Sequence, residues 1–548
     1  MIELGGFSVT QPRLTVVTRI VLAATLTLAT GVRADEPAPV VLEVPDDSYI
    51  EVDPSSIRTE PRPEVTRGIF TSVQVNVDRH GFNIVGDAAN EPSMAVDPTN
   101  PNRLTIGWRQ FDTITSNFRQ AGWGFSTDGG RSWTFPGVLE RGVFRSDPVL
   151  DVDGAGRVYY NSLRAEGSDF WCEVYASVTS GYSWQEPVFA HGGDKQWMSV
   201  DRTGGIGDGN IYSHWTSYWG ATGENAFNRS TDGGQTFDYP AVMPGSPYWG
   251  TTTVGPDGTV YVAGIAQSGP LPVVVAWSTT AEDPIVPLAL DGSSYLDFGG
   301  LPASFDPGSP NPGGLLGQIW IATDHSGGPQ HGNIYLVGSV DPSGSDPLDV
   351  HFSRSTDGGQ TWSQPVKVHN DPAGGNAWQW FGTMSVAPNG RIDVIWNDTR
   401  NDPSGYDSEL FYSFSVDGGQ SWSVDEAVSP AFDPHLGWPN QNKMGDYYQM
   451  VSDRTGADVA WAATFNGEQD VFYLRIGDRD CNANGIGDAT EADGDGDGII
   501  DDCDNCPVTV NSRQTDSNNN DIGNACDDNV FGDGFEWGSD AAWNAVAP

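Results

Sequence analysis

Near its C-terminal end the chain places oxygen-bearing side chains at alternating positions in three successive segments. Asp480, Asn482, Asn484, Asp488 and Glu491 form the first. Asp493, Asp495, Asp497, Asp501 and Asp504 form the second, and Asp516, Asn518, Asn520 and Asp527 the third. A calcium loop takes its oxygen ligands from alternating positions and a later acid, with a glycine where the turn is sharpest. The second segment meets that pattern with Gly498 and the first with Gly485, whereas the third has Asp521 in the glycine's place. Calcium is therefore the expected cofactor. No apolar runs flank the segments, so the paired helices of an EF-hand are not expected. A stretch with so little to bury must draw its folding energy from the metal, which predicts a structural role for the ion.

Composition narrows the setting. The chain has 548 residues, with 73 acidic against 27 basic side chains and a formal net charge of −46. Such a surface repels nucleic acid and anionic membranes and attracts cations. Lysine is nearly absent, occurring only as Lys195, Lys367 and Lys443. Residues 1–34 read as an export signal: Arg13 and Arg19 precede an apolar run from Ile20 to Thr30, and Val32-Arg33-Ala34 suits a signal peptidase. The run is too short to span a bilayer, and no later segment qualifies. The mature protein is expected to be secreted, extracellular or held at the cell surface. Residues 35–67 are acidic and proline-rich, as an extended linker would be. Of the 5 cysteines, Cys481, Cys503, Cys506 and Cys526 crowd together, which in an exported protein points to disulfides of unassigned pairing. Cys172, amid Phe170, Trp171 and Val174, reads as a buried free thiol.

The larger part of the chain is organised by a repeated turn. Ser126-Thr127-Asp128-Gly129-Gly130-Arg131-Ser132-Trp133 recurs as Ser230 to Phe237, Ser355 to Trp362 and Ser415 to Trp422, with a weaker copy from Ser177 to Trp184. An Asp carboxylate can accept backbone N–H groups a few residues on and close a tight turn. The glycines tolerate positive φ. Strand-like flanks such as Phe411-Tyr412-Ser413-Phe414 make each copy a hairpin tip. The pattern resembles the Asp-box, or BNR repeat, of sialidase-like β-propellers. In that family the turn is structural and lies at the outer rim, so it implies the fold rather than the chemistry.

A second repeat is offset from the first: strand, Asp- or Asn-bearing turn, then a strongly apolar strand. Ser93–Asp97 with Leu104–Trp108 is one example and Met384–Gly390 with Ile392–Trp396 another. Seven such hairpins, spaced as propeller blades are, predict an all-β, seven-bladed β-propeller over 68–477, six blades being the alternative. Residues 478–529 form a separate module. Within it Asp502-Cys503-Asp504-Asn505-Cys506-Pro507, followed by Asn511, Gln514 and Asp516, resembles the thrombospondin type 3 repeat, which implies calcium ions wrapped by acidic loops and pinned by disulfides. Residues 530–548 are a short terminal tail.

In a propeller, inner strands start and second strands end at one face of the central channel, where ligands bind. That rule selects Glu91, Asp147, Asp194, Lys195, Trp380, Asp446 and Tyr447 from the strand starts, and Arg109, Arg164, Trp215, Asp398 and Arg400 from the strand ends. Arginines can fork onto a carboxylate, rings can stack on a sugar face, and acids can move protons. The sialidase resemblance implies Arg109, Arg164 and Arg400 as a substrate-binding triad, with Trp215 and Trp380 as stacking rings. It implies Asp147 as acid/base and Tyr447 as nucleophile. The family's Arg-Ile-Pro motif is missing here. The sequence therefore favours a non-catalytic propeller that binds an extracellular glycan or protein; the alternative is an exo-α-sialidase acting on a terminal acidic sugar. Oligomeric state is left open.

Overall fold

The computed structural model describes residues 47–527, apart from 167–168, 218–219, 303–304, 373–374, 403–404, 483, 513, 515 and 517–521. The expected export signal, the start of the linker, Asn518, Asn520 and the terminal tail lie outside the described residues.

The described residues form seven antiparallel sheets of four or five strands and one two-stranded ribbon. The sheets are the blades of a seven-bladed propeller. Blade 1 consists of Ala88–Val96, Leu104–Phe111, Gln120–Ser126 and Thr134–Val138, paired in that order. Blades 2 to 6 follow over 146–189, 197–242, 247–296, 300–367 and 379–427. Blade 7 takes Gln449–Ser452, Gly456–Ala463 and Asp470–Gly477 from the end of the propeller, and its outer strands, Phe70–Gln74 and Val65–Arg67, from the beginning. Ser72, Val73 and Gln74 pair with Leu474, Tyr473 and Phe472, so the ring is closed by two ends of the chain.

Burial follows from this stacking. The second strand of a blade has another sheet on each face, so Leu104–Phe111, Ile392–Asp398 and Gly456–Ala463 are buried throughout. Polar side chains on these strands, such as Thr105, Arg109, Asp393 and Asp398, are therefore buried along with the apolar ones. Fourth strands, such as Val366–Lys367 and Glu426–Ala427, are short and partly exposed.

The repeated turns join the third and fourth strands of blades 1, 3, 5 and 6, with the weaker copy in blade 2. In blade 6 Ser415 Oγ donates to Asp417 Oδ1 at 2.9 Å, Asp417 Oδ1 accepts the Ser421 N–H at 2.9 Å, and Asp417 Oδ2 accepts the Ser421 hydroxyl at 2.5 Å. The same three bonds form around Asp128, Asp232 and Asp357. Both glycines of each full copy have positive φ, from 69° to 83°.

Past Gly477 the described residues hold one short helical turn, Asp488–Thr490, and two disulfides, Cys481–Cys503 and Cys506–Cys526. Cys172 is free and buried. Among the described residues no helix is long and apolar enough to cross a membrane.

Candidate functional site

At the start of each inner strand, one residue takes a left-handed backbone conformation. These are Glu91 (φ 52°), Asp147 (47°), Lys195 (53°), Trp249 (51°), Gly317 (154°), Phe381 (60°) and Gly445 (92°), one per blade. Strand pairing slips beside several of them, as between Asn90 and Ser93 and between Trp380 and Thr383. A bulge of this kind re-aims a side chain, here toward the channel. The residues knit neighbouring blades together. The Ile319 N–H donates to the Trp249 carbonyl at 3.0 Å, the Lys195 N–H donates to Asp147 Oδ2 at 3.0 Å, and a β-carbon at Gly445 would lie 2.6 Å from the Glu91 side chain.

The ring is polar on one side and apolar on the other. Blades 4 to 6 contribute Trp249, Gly317 and Phe381; blades 7, 1, 2 and 3 contribute charges. Lys195 Nζ lies 3.2 Å from both oxygens of Asp147 and 2.8 Å from Asp446 Oδ2. Lys443 Nζ is 2.9 Å from the same Asp446 oxygen, and Arg109 Nε is 3.2 Å from Glu91 Oε2. Arg109 also donates to Asn90 and Gln441. Glu91, Arg109 and Asp147 are fully buried.

The hub's charges are strongly perturbed. Burial, helped by the neighbouring Asp446 charge and opposed by Arg109, pushes the Glu91 carboxyl up to about 8. Burial also raises Asp194 to about 6, against the pull of Lys195. Burial would raise Asp446 as well, but Lys195, Lys443 and Arg109 hold it well below the carboxylate range. Asp147 is held down by Lys195 and Arg109 in the same way. The two neighbouring carboxyls are thus driven in opposite directions, Glu91 up and Asp446 down.

The residues expected from the sequence divide accordingly. Glu91, Arg109, Asp147, Asp194, Lys195, Asp446 and Tyr447 do come together at the hub. The Tyr447 hydroxyl donates to the Pro148 carbonyl at 2.7 Å, and burial together with Glu91 and Asp147 raises its pKa well above the usual phenol value. The three expected arginines share no partner. Arg164 lies 3.4 Å from Glu173 on blade 2. Arg400, on blade 6, forks onto Asp398 Oδ2 at 2.7 and 2.9 Å and reaches Asp425 at 2.8 Å. The expected stacking rings present no face. Trp380 is fully buried, its indole N–H donating to Ser408 Oγ at 3.1 Å. Trp215 is fully buried too and belongs to a set with Trp108, Trp396 and Trp461, each filling the core near the end of a second strand.

Two contributors escaped the sequence reading. Lys443 precedes its inner strand by several residues. Arg119 is on a loop before a third strand; it is buried, with burial lowering its pKa to about 10 against the pull of Asp147, Asp194 and Asp446. A signal for the ring itself was available in Glu91-Pro92, Asp147-Pro148, Trp249-Gly250 and Phe381-Gly382, which occur at blade spacing.

An open cavity of about 350 Å³ lies on the same face at blade 6. It is lined by Asn370, Asp371, Asn376, Thr399, Arg400 and Asn401. Its walls are the loop before the blade's inner strand and the loop after its second strand, and they offer amides, a hydroxyl and a guanidinium already matched by two carboxylates.

The acidic module is a second site. Asp493, Asp495 and Asp497 each place a carboxylate oxygen within 4.8 Å of the others. Partial dehydration and the charges of Asp497, Asp504 and Asp493 raise the Asp495 pKa, opposed by the Asp497 N–H. Asp495 Oδ2 is buried without a hydrogen-bond partner, so it has a lone pair to offer. Asp501 and Asp504 accept the Gly494 and Cys506 N–H groups, as Asp493 accepts those of Gly496 and Gly498 and Asp497 those of Ile499 and Asn511. In the first segment Asp480 accepts the Asn484 and Gly485 N–H groups, Cys481 N–H donates to Asp488, and Asn482 and Asn484 converge on Glu491. Donor chemistry and geometry in the 493–504 loop fit a hard divalent cation.

A seven-bladed propeller carrying a disulfide-pinned acidic module is the class these features define. Residues 479–514 match the family model of the thrombospondin type 3 repeat. No curated protein matches the chain. Among solved structures, a protein of unknown function from Dyadobacter fermentans DSM 18053 aligns at 14% identity over 76% of this chain and 100% of its own, with a TM-score of 0.39. The Hadza microbial sialidase Hz136 aligns at 13% identity over 71% of this chain and 66% of its own, TM-score 0.40. A Trypanosoma rangeli sialidase in complex with the inhibitor DANA aligns at 11% identity over 74% and 57%, TM-score 0.35.

Proposed function

We propose that this is an exported, calcium-binding protein whose propeller binds an extracellular glycan or protein without turning it over. The observation that carries the non-catalytic reading is the state of Asp147 and Tyr447. Asp147 has both oxygens on Lys195, and the Tyr447 hydroxyl is spent on a backbone carbonyl. A nucleophile has to be activated by a nearby base and reach the substrate; a buried tyrosine with a raised pKa supports neither. Ligand contact is assigned to the cavity around Arg400, whose amides and hydroxyl suit the hydroxyl groups of a sugar or the backbone of a peptide. Calcium is assigned to the 493–504 loop, with Asp493, Asp495 and Asp497 as ligands. The match to a repeat known for calcium binding, the two disulfides and the acidic surface all support an extracellular setting.

The test uses the purified full chain. A fluorogenic sialoside should give no turnover, while a glycan and protein array should return a ligand whose binding is lost in Arg400→Ala. Turnover that disappears in Tyr447→Phe would overturn this reading in favour of a sialidase. Calorimetric titration should show calcium binding that vanishes when Asp493, Asp495 and Asp497 are all changed to Asn.

A further inference from the structure

We infer that calcium bound in the acidic loop acts as a clamp at the seam where the propeller ring closes, holding blade 1 against the last strands of blade 7. The inference rests on the calcium assignment above and extends it from the module to the ring.

The seam is the ring's weak point on chain-connectivity grounds, since blade 7 is held together by strand pairing between the two ends of the propeller sequence. The first repeated turn, in blade 1, leans directly on blade 7: the Trp133 and Tyr473 ring centroids are 5.5 Å apart, and a β-carbon at Gly130 would sit 2.2 Å from the Tyr473 ring. Immediately after blade 7 the module begins, and it returns to this same turn twice. Arg479 donates to the Gly129 carbonyl and, at 2.7 Å, to the Tyr473 hydroxyl. Arg131 Nη2 donates to the Gly498 carbonyl at 2.7 Å. On the blade 7 side, Thr455 Oγ1 and Arg475 donate to the Asp478 carbonyl.

Gly498 belongs to the candidate calcium loop, where its N–H donates to Asp493 Oδ2 at 3.0 Å. Ordering that carboxylate therefore orders the N–H side of the residue whose carbonyl Arg131 grips. The identity of residue 131 supports the clamp. In three full copies the equivalent residue is glutamine, and Gln235, Gln360 and Gln420 each donate Nε2 to the Asp carbonyl of their own turn, at 2.8, 2.9 and 2.7 Å. Arg131 makes that same bond through Nη1 at 3.1 Å and has a second nitrogen left for Gly498. Of the four copies, only the one facing the module carries a residue that can do both.

A ligand that binds the folded form alone stabilises whatever its site is coupled to. Thermal unfolding of the full chain, followed by tryptophan fluorescence, should shift upward on adding calcium to chelated protein, by at least about 2 °C at saturation. Hydrogen exchange across 126–133 should slow in parallel. Arg131→Gln restores the residue used in the other turns and is expected to fold; it should keep calcium affinity within about threefold by calorimetry, yet lose most of the calcium-dependent protection at 126–133. Calcium binding without any change in the propeller's transition or in that exchange, or full protection retained in Arg131→Gln, would overturn the clamp while leaving the metal site standing. Absence of calorimetric binding would instead remove the calcium assignment itself, and the clamp with it.

Discussion

Glu91 shows how far a single environment can move a side chain. An exposed glutamate titrates near pH 4.3; in the hub, burial pushes the Glu91 carboxyl up to about 8. A carboxyl raised in the folded state binds its proton more tightly there than in the unfolded chain. The stability it contributes is complete below its ordinary value and is lost as pH rises toward 8. Asp194, raised to about 6, adds in the same direction over a narrower window. Glu91→Gln fixes the neutral form. The difference in melting temperature, variant minus wild type, should therefore increase between pH 5 and 8.5; a difference that stays flat with pH would show that Glu91 is ionised in the folded protein. The lysines teach a related lesson. Lys195 and Lys443 are buried against Asp446, and Lys367 sits 2.9 Å from Asp349 and 2.7 Å from Asp371. Every lysine in the chain is thus a counter-charge within the fold, and the strongly acidic balance of the surface follows.

Among the elements, the repeated turn is the unit whose energetics are best defined. Each combines a carboxylate that accepts at least three hydrogen bonds with two left-handed glycines, and the second glycine packs against an aromatic ring of the preceding blade. In blade 6 a β-carbon at Gly419 would lie 2.1 Å from the Phe352 ring, and φ is 77°. Gly419→Ala should cost about 2 kcal/mol or more, since the left-handed backbone alone costs roughly 1–2 kcal/mol for a residue with a β-carbon. Urea unfolding would register this as a lowered midpoint, and an unchanged midpoint would mean that the turn does not contribute to the stability of its blade. The left-handed residues at the inner-strand starts are the complementary element. They occur once per blade, yet the residue type varies freely from Glu to Trp to Gly, because the backbone conformation is imposed by packing against the next blade. That variety is why they escape a search for repeated residues.

For the molecule as a whole, the module and the ring are joined by Arg479 and Arg131, the latter on the acidic loop at Gly498. The Cys481–Cys503 bridge spans a sequence separation of 22 and encloses the 493–497 carboxylates. A loop of that length gives up about 3 kcal/mol of unfolded-state entropy to its disulfide. Replacing both cysteines with serine should weaken calcium binding by roughly tenfold or more, since each tenfold corresponds to about 1.4 kcal/mol. Calorimetry on the full chain measures this, and an affinity within twofold of wild type would show that the loop is ordered without its bridge.

The seven blades, the positions of the turns and the acidic module were legible in the residues, because each depends on local chemistry. Asp with Gly-Gly closes a turn wherever it occurs, strand–turn–strand units at blade spacing mark the hairpins, and alternating carboxylates around a glycine mark an acidic loop. The same reasoning gathered Glu91, Asp147, Lys195, Asp446 and Tyr447 at one face. It could not decide whether those groups would face solvent or one another, nor that Arg164 and Arg400 would each be neutralised on its own blade, nor that Trp215 and Trp380 would fill the core. Pairing among charges and the sealing of the hub are long-range outcomes. They depend on how the seven left-handed inner-strand starts meet around an axis, and that is settled only when residues hundreds of positions apart pack together.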